Sequence, residues 1–158
     1  MFYHTFVQPY LEYCNIIWAT DSSSSTALAS LFCKQKRVFR VISLSKWKCH
    51  TSPIFYRYRI ITLYSINKLQ MCSFISKSLN GLLPAAFHDI FMINMEVHDH
   101  NTRQKSDIHI ISHRIVVRRQ SIKVYGTKLW NSLSPSLKNL DSFPLFRHHY
   151  IEYILTHQ

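Results

Sequence analysis

Hydrophobic and polar residues alternate with a helical period between Ala27 and Ile42. At 100° per residue, one arc of about 120° collects the apolar positions and one glutamine: Leu28, Leu31, Phe32, Gln35, Val38, Phe39 and Ile42. Much of the remaining surface is taken by cations: Lys34, Lys36, Arg37 and Arg40. The hydroxyls of residues 22–26 can cap the first free N–H groups. The pattern predicts an amphipathic helix with a basic outer face.

The first ninety residues contain further helical patterns. Phe2 to Trp18 is predicted to form a buried helix that is kinked or restarted at Pro9. Its expected buried side carries four residues: Tyr10, Tyr13, Cys14 and Ile17. Ile60 to Leu79 is apolar on most sides, which is typical of a helix in the middle of a bundle. Asn80 and Gly81 predict its C-terminal end. Pro53 and Pro84 are each placed to start a short helix.

The pattern changes after residue 91. Residues 92–104 lose the helical period and are predicted to be a linker, and His109 to Val117 allows a short strand or extended arm. Ser121 to Ser132 is predicted to be helical despite Gly126. Asp141 or Ser142 is expected to cap a last helix from Phe143 to Thr156, with four buried residues: Phe146, Tyr150, Tyr153 and Ile154.

These elements predict a mainly α fold for the 158 residues. Residues 1–91 form a small helical bundle, residues 92–104 a linker, and residues 105–158 a basic, C-terminal helical appendage. The fold allows one short strand or hairpin. No stretch reaches the roughly 18 uninterrupted apolar residues of a membrane span, so none is predicted.

Charge is the main clue to function. From Ser22 to His88 there is no Asp or Glu, while the same span contains ten Lys and Arg. The whole chain has a formal charge of +11 and a pI near 9.7. A solvated surface ordinarily mixes both signs, and a one-sided surface repels itself unless a polyanion is near. Nucleic acid is therefore the first expected partner class, and an anionic membrane surface is the second.

The expected nucleic-acid contacts form two groups. The first group comprises the cations of the basic helix and of the segment after it: Lys34, Lys36, Arg37, Arg40, Lys46 and Lys48. The second group lies in the C-terminal third: Arg103, Arg118, Arg119 and Lys123. Trp47, between Lys46 and Lys48, either stacks on a base or packs on a neighbouring side chain. For the helix alone, a solvated charged face is the competing interpretation.

The residues give little support to an enzyme. With only Gly81 and Gly126, the chain cannot build a glycine-rich phosphate loop. No two cysteines have zinc-finger spacing, and a metal grouping of Cys49, His50, His98 and His100 is a coincidence that ten histidines make easy. The eight carboxylates are scattered. The sequence predicts no activity of its own, no cofactor and no metal. Its four cysteines, Cys14, Cys33, Cys49 and Cys72, are expected to be reduced, intracellular and buried.

Six short motifs occur in order along the chain. They are Pro9-Tyr10-Leu11-Glu12-Tyr13-Cys14 before Trp18, Gln35-Lys36-Arg37 before Arg40-Val41-Ile42, His50-Thr51-Ser52-Pro53, Asn80-Gly81-Leu82-Leu83-Pro84, His100-Asn101-Thr102-Arg103, and Ser121 and Gly126 before Trp130-Asn131-Ser132-Leu133. In this order and spacing they resemble the C-terminal region of reverse transcriptases from non-long-terminal-repeat retrotransposons, the LINE elements of the jockey and chicken-repeat type. One departure is Leu133-Ser134-Pro135, which places a proline one position later than the family does.

The resemblance implies the thumb of an RNA-directed DNA polymerase and the segment beyond it, which grip the template-primer duplex. It implies RNA, DNA or an RNA–DNA hybrid as partner, the polymerase palm as a neighbour in the full-length relative, and the nucleus if the family's role is retained. The palm carries a Tyr-x-Asp-Asp signature, and this chain has no Asp-Asp pair. Met1 leads directly into core-like sequence, so the chain is expected to begin within something larger.

Two alternatives stay open at this point. One is that the chain is the inactive relic of a mobile element. The other is a protein-interaction or membrane-surface module, in which the aromatic residues between Phe2 and Trp18 dock on a partner.

Overall fold

The computed structural model describes residues 2–19, 26–97, 103–112, 114–115, 119, 121–140 and 142–157. The described residues are 67% helical and contain no β-strand. The mainly α fold expected from the hydrophobic pattern is confirmed. Ser22–Ser25 and Asp141, proposed as helix caps, lie outside the described residues, as do His98, His100, Asn101 and Thr102.

Short and long helices alternate along the chain. The α-helices are α1 (Phe2–Phe6), α2 (Gln8–Glu12), α3 (Asn15–Trp18), α4 (Thr26–Ile42), α5 (Ser52–Arg57), α6 (Leu63–Leu79), α7 (Asn94–Val97), α8 (Thr127–Asn131), α9 (Pro135–Lys138) and α10 (Phe143–Thr156). A 3-10 helix spans Ala85–Ile90, and a π-helix spans Ile122–Gly126 directly before α8. No helix in the described ranges is both long and apolar enough to cross a membrane.

The chain folds as two compact units. The first comprises residues 1–67 and 151–158, and the second comprises residues 68–150. Helices α6 and α10 each contribute residues to both units. The predicted division of the chain at residues 92–104 stays a prediction.

The core of the first unit is built on the inner face of α4. Phe39 is 1% exposed, and its ring centroid lies 4.3 Å from that of Tyr3 and 4.8 Å from that of Phe55. Gln35 is buried in the same face because each of its polar atoms has a partner. Its Nε2 donates to the Tyr3 hydroxyl (2.8 Å) and the Ile61 carbonyl (3.2 Å), and its Oε1 accepts from the Leu63 N–H (2.9 Å).

The N-terminal segment differs from its prediction. It restarts at Pro9 as expected, but a second break follows at Tyr13 and Cys14, where Cys14 has a φ of 49°. Tyr10, Tyr13 and Ile17 are 77–81% exposed and Cys14 is exposed, so the predicted buried side is wrong. The buried line instead runs through Leu11 and Asn15, because Asn15 Nδ2 donates to the Leu11 carbonyl and Asn15 Oδ1 accepts from Asn67 Nδ2 (2.9 Å).

Three helices end in the same turn. After α4, α5 and α6 a residue with a left-handed backbone follows, namely Leu44 (φ 50°), Arg59 (φ 51°) and Gly81 (φ 65°). In each case two backbone N–H groups bond back to the last helical turn, as in a Schellman motif. The helix end predicted at Gly81 is confirmed. The other two ends carry no glycine.

The second unit packs around the C-terminal part of α6. Met71, Cys72 and Ile75 are fully buried. Cys72 is thus buried as predicted, but the same prediction is wrong for Cys14, Cys33 and Cys49, which are exposed. Gly126 lies against this core, where an added Cβ would lie 3.0 Å from Ile122 Cγ1 and 3.3 Å from Ile75 Cδ1, so a larger residue would have to displace these side chains. The helix predicted over residues 121–132 forms from Ile122 to Asn131, and its first part is in the π form.

The expected buried face of the last helix is mostly confirmed. Phe146, Tyr150 and Ile154 are buried, but Tyr153 is 43% exposed, so that part of the prediction is wrong. Within the first unit, the Tyr153 ring instead stacks on His157 at 4.3 Å.

The strand allowed near His109 does not form within the described residues. Ile93 and Ile108 make an isolated antiparallel bridge, and the His109 N–H donates to the Met92 carbonyl (2.7 Å). The pairing stops there because the backbone of Ile108 bonds to the Asn131 side chain instead of a second strand. Asn131 accepts from its N–H (3.1 Å) and donates to its carbonyl (2.9 Å).

Candidate nucleic-acid interface

The outer face of α4 carries the four cations that its sequence pattern places there. Counted at 100° per residue from the buried Leu28, they cover an arc of about 160°: Lys36, Arg40, Arg37 and Lys34. Lys34 and Arg37 are exposed, and Lys36 and Arg40 are half-buried. The amphipathic helix with a basic outer face is thus present as predicted.

The segment after α4, residues 43–50, lies against this helix and is called the basic loop below. The Arg37 guanidinium lies 4.8 Å from the centre of the Trp47 ring, and Arg40 Nε donates to the Cys49 carbonyl at 3.1 Å. The turn at Leu44 reverses the chain, and the Cys49 N–H donates to the Lys46 carbonyl at 2.9 Å. Lys46 and Lys48, both exposed, are thereby held beside the helix that carries the other cations.

No carboxylate neutralises these six cations in the described part of the chain. The carboxylates described in the first unit are Glu12, which accepts from Gln8 Nε2, and Glu152, which accepts from Arg59 (2.6 Å). The basic face therefore keeps its full charge, and its positive potential is available to a polyanion.

Trp47 packs on a neighbouring side chain, which is one of the two roles predicted for it. Its ring contacts a neighbouring side chain, Arg37, by a cation–π interaction. The residue is still 61% exposed. An aromatic ring that is held in place by a guanidinium and open to solvent can stack on a nucleobase without first being ordered.

The second predicted group is less complete. Arg103, Arg119 and Lys123 belong to the second unit and are exposed, while Arg118 lies outside the described residues. A second line of phosphate contacts stays a prediction.

Sequence reasoning missed a pocket beside the basic face. It has a volume of about 240 Å³, and its wall includes Lys36 of α4, Thr51, and Phe55 and Tyr56 of α5. Thr51 is the N-cap residue of α5, yet its side chain makes no capping bond. No local pattern reveals this pocket, since its walls come from segments about twenty residues apart.

Two buried groups have shifted acidities. Burial raises the pKa of Tyr3 from 10.0 to about 12, and the hydrogen bond from Gln35 offsets part of the rise. Burial likewise raises the pKa of the Cys72 thiol from 9.0 to about 12, with a smaller opposing effect from Tyr150. Both groups stay protonated at neutral pH. Where side chains are described, no three His, Cys, Asp or Glu residues gather as a metal site would require.

Comparison with protein-family models, with curated proteins and with solved structures gives no match to this chain.

Proposed function

We propose that this chain binds the phosphate backbone of nucleic acid through the outer face of α4 and the basic loop, without reading base sequence. The supporting observation is the arrangement of six cations with no carboxylate partner among the described residues: Lys34, Lys36, Arg37, Arg40, Lys46 and Lys48. Lysine and arginine contacts to phosphates position a duplex but carry no sequence information.

The motif resemblance gives this binding a context. In the proposal the chain is part of a retrotransposon reverse transcriptase, from beyond the catalytic palm, and grips a template-primer duplex. It does no chemistry of its own. The resemblance supports this context, and the charge arrangement supports the binding independently of it.

Salt dependence tests the binding directly. Each phosphate contact on duplex DNA adds about −0.9 to the slope of log affinity against log salt concentration. Four to six contacts therefore give a slope of about −3.6 to −5.4. Fluorescence anisotropy with duplexes of unrelated sequence, at three salt concentrations, measures it. We expect equal affinities for all sequences, and a flat salt response would contradict the proposal.

Replacing Arg37 and Arg40 with alanine should weaken binding equally on every sequence and make the slope shallower by about 1.8, since two contacts are lost. The matched control is the double substitution of Lys128 and Arg147, two exposed cations of the second unit. This control removes the same net charge at positions that lie outside the proposed face. If both double variants change the slope alike, net charge alone and not this face is responsible.

A second candidate function rests on the aromatic surface of the N-terminal segment. Six residues there are exposed by 39–81%: Phe2, Phe6, Tyr10, Tyr13, Ile17 and Trp18. Apolar surface of this kind marks interaction sites. The segment before Lys34 contains no Lys or Arg, whereas a helix that lies on an anionic membrane carries them on its polar face. A protein partner therefore fits this surface better than a membrane does.

Flotation with anionic liposomes, with and without competing nucleic acid, separates nucleic-acid binding from membrane association of the aromatic surface. Nucleic-acid binding predicts that liposome association is weak and is abolished by the competitor. Association that survives the competitor and disappears when Tyr10 and Ile17 are replaced by serine would favour the aromatic surface.

A further inference from the structure

The pocket beside the basic face has the chemistry of a phosphate site. On its charged side is the Lys36 ammonium, whose Nζ lies 4.1 Å from the centre of the Phe32 ring and which has no carboxylate partner in the described part of the chain. Its polar wall includes the hydroxyl-bearing residues Thr51, Ser52 and Tyr56, and Phe55 forms part of the apolar wall. The pocket thus combines one positive charge, several hydroxyl donors and an apolar wall.

Thr51 is the residue that points to a ligand. The residue is only 6% exposed, and its hydroxyl makes no capping bond to α5. A threonine hydroxyl that is not used as a helix cap can donate a hydrogen bond to a ligand oxygen. Because Thr51 lines the pocket together with Lys36, an acceptor held in the pocket satisfies both groups.

We propose that this pocket binds the terminal phosphomonoester of a nucleic-acid strand that lies along the basic face, an inference that rests on the proposed function. A phosphomonoester carries a charge of about −1.5 to −2 at neutral pH and three acceptor oxygens, against a single charge on each internal phosphodiester. Its oxygens accept from the Lys36 ammonium and from the hydroxyls of Thr51 and Ser52.

Size and surroundings favour a strand end over a free nucleotide. The volume of about 240 Å³ is smaller than the roughly 300–1,000 Å³ typical of pockets for whole organic ligands. It holds a phosphate and part of its sugar. The terminal base is then outside the pocket, beside Tyr56, which is 78% exposed and offers a ring for stacking.

Short duplexes that differ only at their ends test this inference. Anisotropy is measured at one near-physiological salt concentration for hydroxyl ends, 5′-phosphate ends and 3′-phosphate ends. We expect one phosphorylated form to bind about tenfold more tightly than the hydroxyl form, because the extra hydrogen bonds are charge-assisted. The comparison of 5′ and 3′ forms identifies which end is held.

Three substitutions test whether the preference for phosphorylated ends arises at this pocket. Thr51→Val keeps the β-branched shape and removes only the hydroxyl, and Lys36→Met keeps the unbranched side chain and removes the charge. Both should abolish the preference for phosphorylated ends. Lys34→Met, on the same helix but outside the pocket, should weaken all duplexes equally and keep the preference.

A measurement on the unmodified protein covers the case in which a variant fails to fold. Inorganic phosphate, compared with chloride at matched ionic strength, should reduce the affinity of the phosphorylated duplex to that of the hydroxyl duplex. Equal affinity for all ends with a steep salt response would overturn the pocket assignment and leave the proposed function intact. An end preference that survives Thr51→Val and Lys36→Met would also overturn it. The absence of salt-dependent binding to any duplex would overturn both.

Discussion

Leu44 has a backbone conformation that favours glycine, and its side chain is 93% exposed. For residues with a Cβ, the left-handed region costs roughly 1–2 kcal/mol, whereas glycine enters it freely. Because the side chain contributes almost no packing, Leu44→Gly should raise the free energy of unfolding, by about 1 kcal/mol after the greater chain entropy of glycine is deducted. The midpoint of urea unfolding at neutral pH measures this.

Two controls distinguish the backbone effect from the loss of a side chain. Leu44→Ala removes the side chain but keeps the Cβ, so the midpoint should hardly move. Gly81→Ala makes the reverse change in an equivalent turn, where an added Cβ meets nothing within 4 Å, and should destabilise by about 1 kcal/mol. Equal effects of Leu44→Gly and Leu44→Ala would contradict the conformational explanation.

Gln35 is the second residue whose role is set by its surroundings. Gln35→Met keeps the length and the straight chain but leaves the Ile61 carbonyl and the Leu63 N–H without this partner. Unsatisfied buried polar groups cost about 1–3 kcal/mol each, so we expect a loss of about 2–4 kcal/mol in unfolding free energy. Chemical denaturation followed by circular dichroism measures it. Lys34→Met, one position away on the exposed face, should change stability by less than about 0.5 kcal/mol. A loss no larger than that of Lys34→Met would mean that the hydrogen bonds of Gln35 contribute nothing.

At the scale of elements, α4 shows what a sequence pattern can predict. A helix repeats every 3.6 residues, so the pattern alone places Phe39 inside and Arg37 outside. It does not predict that the basic loop folds back on the helix, because that contact depends on the left-handed turn at Leu44, a position where the sequence shows no glycine. The pattern also fails to predict which residues of the N-terminal segment are buried. Their burial depends on the hydrogen bond between Asn15 and Asn67, which are 52 residues apart in sequence.

The contacts that hold the basic loop against α4 can be tested separately from the charge of the arginines that make them. Replacing Arg37 and Arg40 with lysine keeps both charges but loses the planar guanidinium that stacks on Trp47 and bonds to Cys49. The salt slope of duplex binding should stay the same. Backbone amide exchange at Cys49, whose N–H donates within the loop, should become roughly tenfold faster as the loop opens more often. Lys48→Arg is the matched control and should leave exchange unaltered. Unchanged exchange in the lysine variant would show that the two arginines do not hold the loop.

At the scale of the whole molecule, the net charge and the buried acids have opposite effects on stability as pH rises. The chain carries a formal +11 at neutral pH, and this self-repulsion falls as lysines lose protons under alkaline conditions. Buried acids have the opposite effect, and each compact unit contains one whose pKa is raised: Tyr3 in the first and Cys72 in the second.

Both shifts predict that stability falls at high pH. A raised pKa means that the folded state holds its proton more tightly than the unfolded state, so unfolding releases a proton and is favoured as pH rises. The contribution is fully present below the unfolded values of 10.0 for Tyr3 and 9.0 for Cys72, and it is lost as pH rises toward about 12. Urea midpoints at pH 8 and at pH 11 should therefore differ, with the lower value at pH 11. Tyr3→Phe removes one of the two acids and should reduce this difference, although it lowers stability at pH 8 by losing the bond from Gln35. If the midpoint stays constant or rises between the two pH values, relief of charge repulsion outweighs the ionisation of the buried groups.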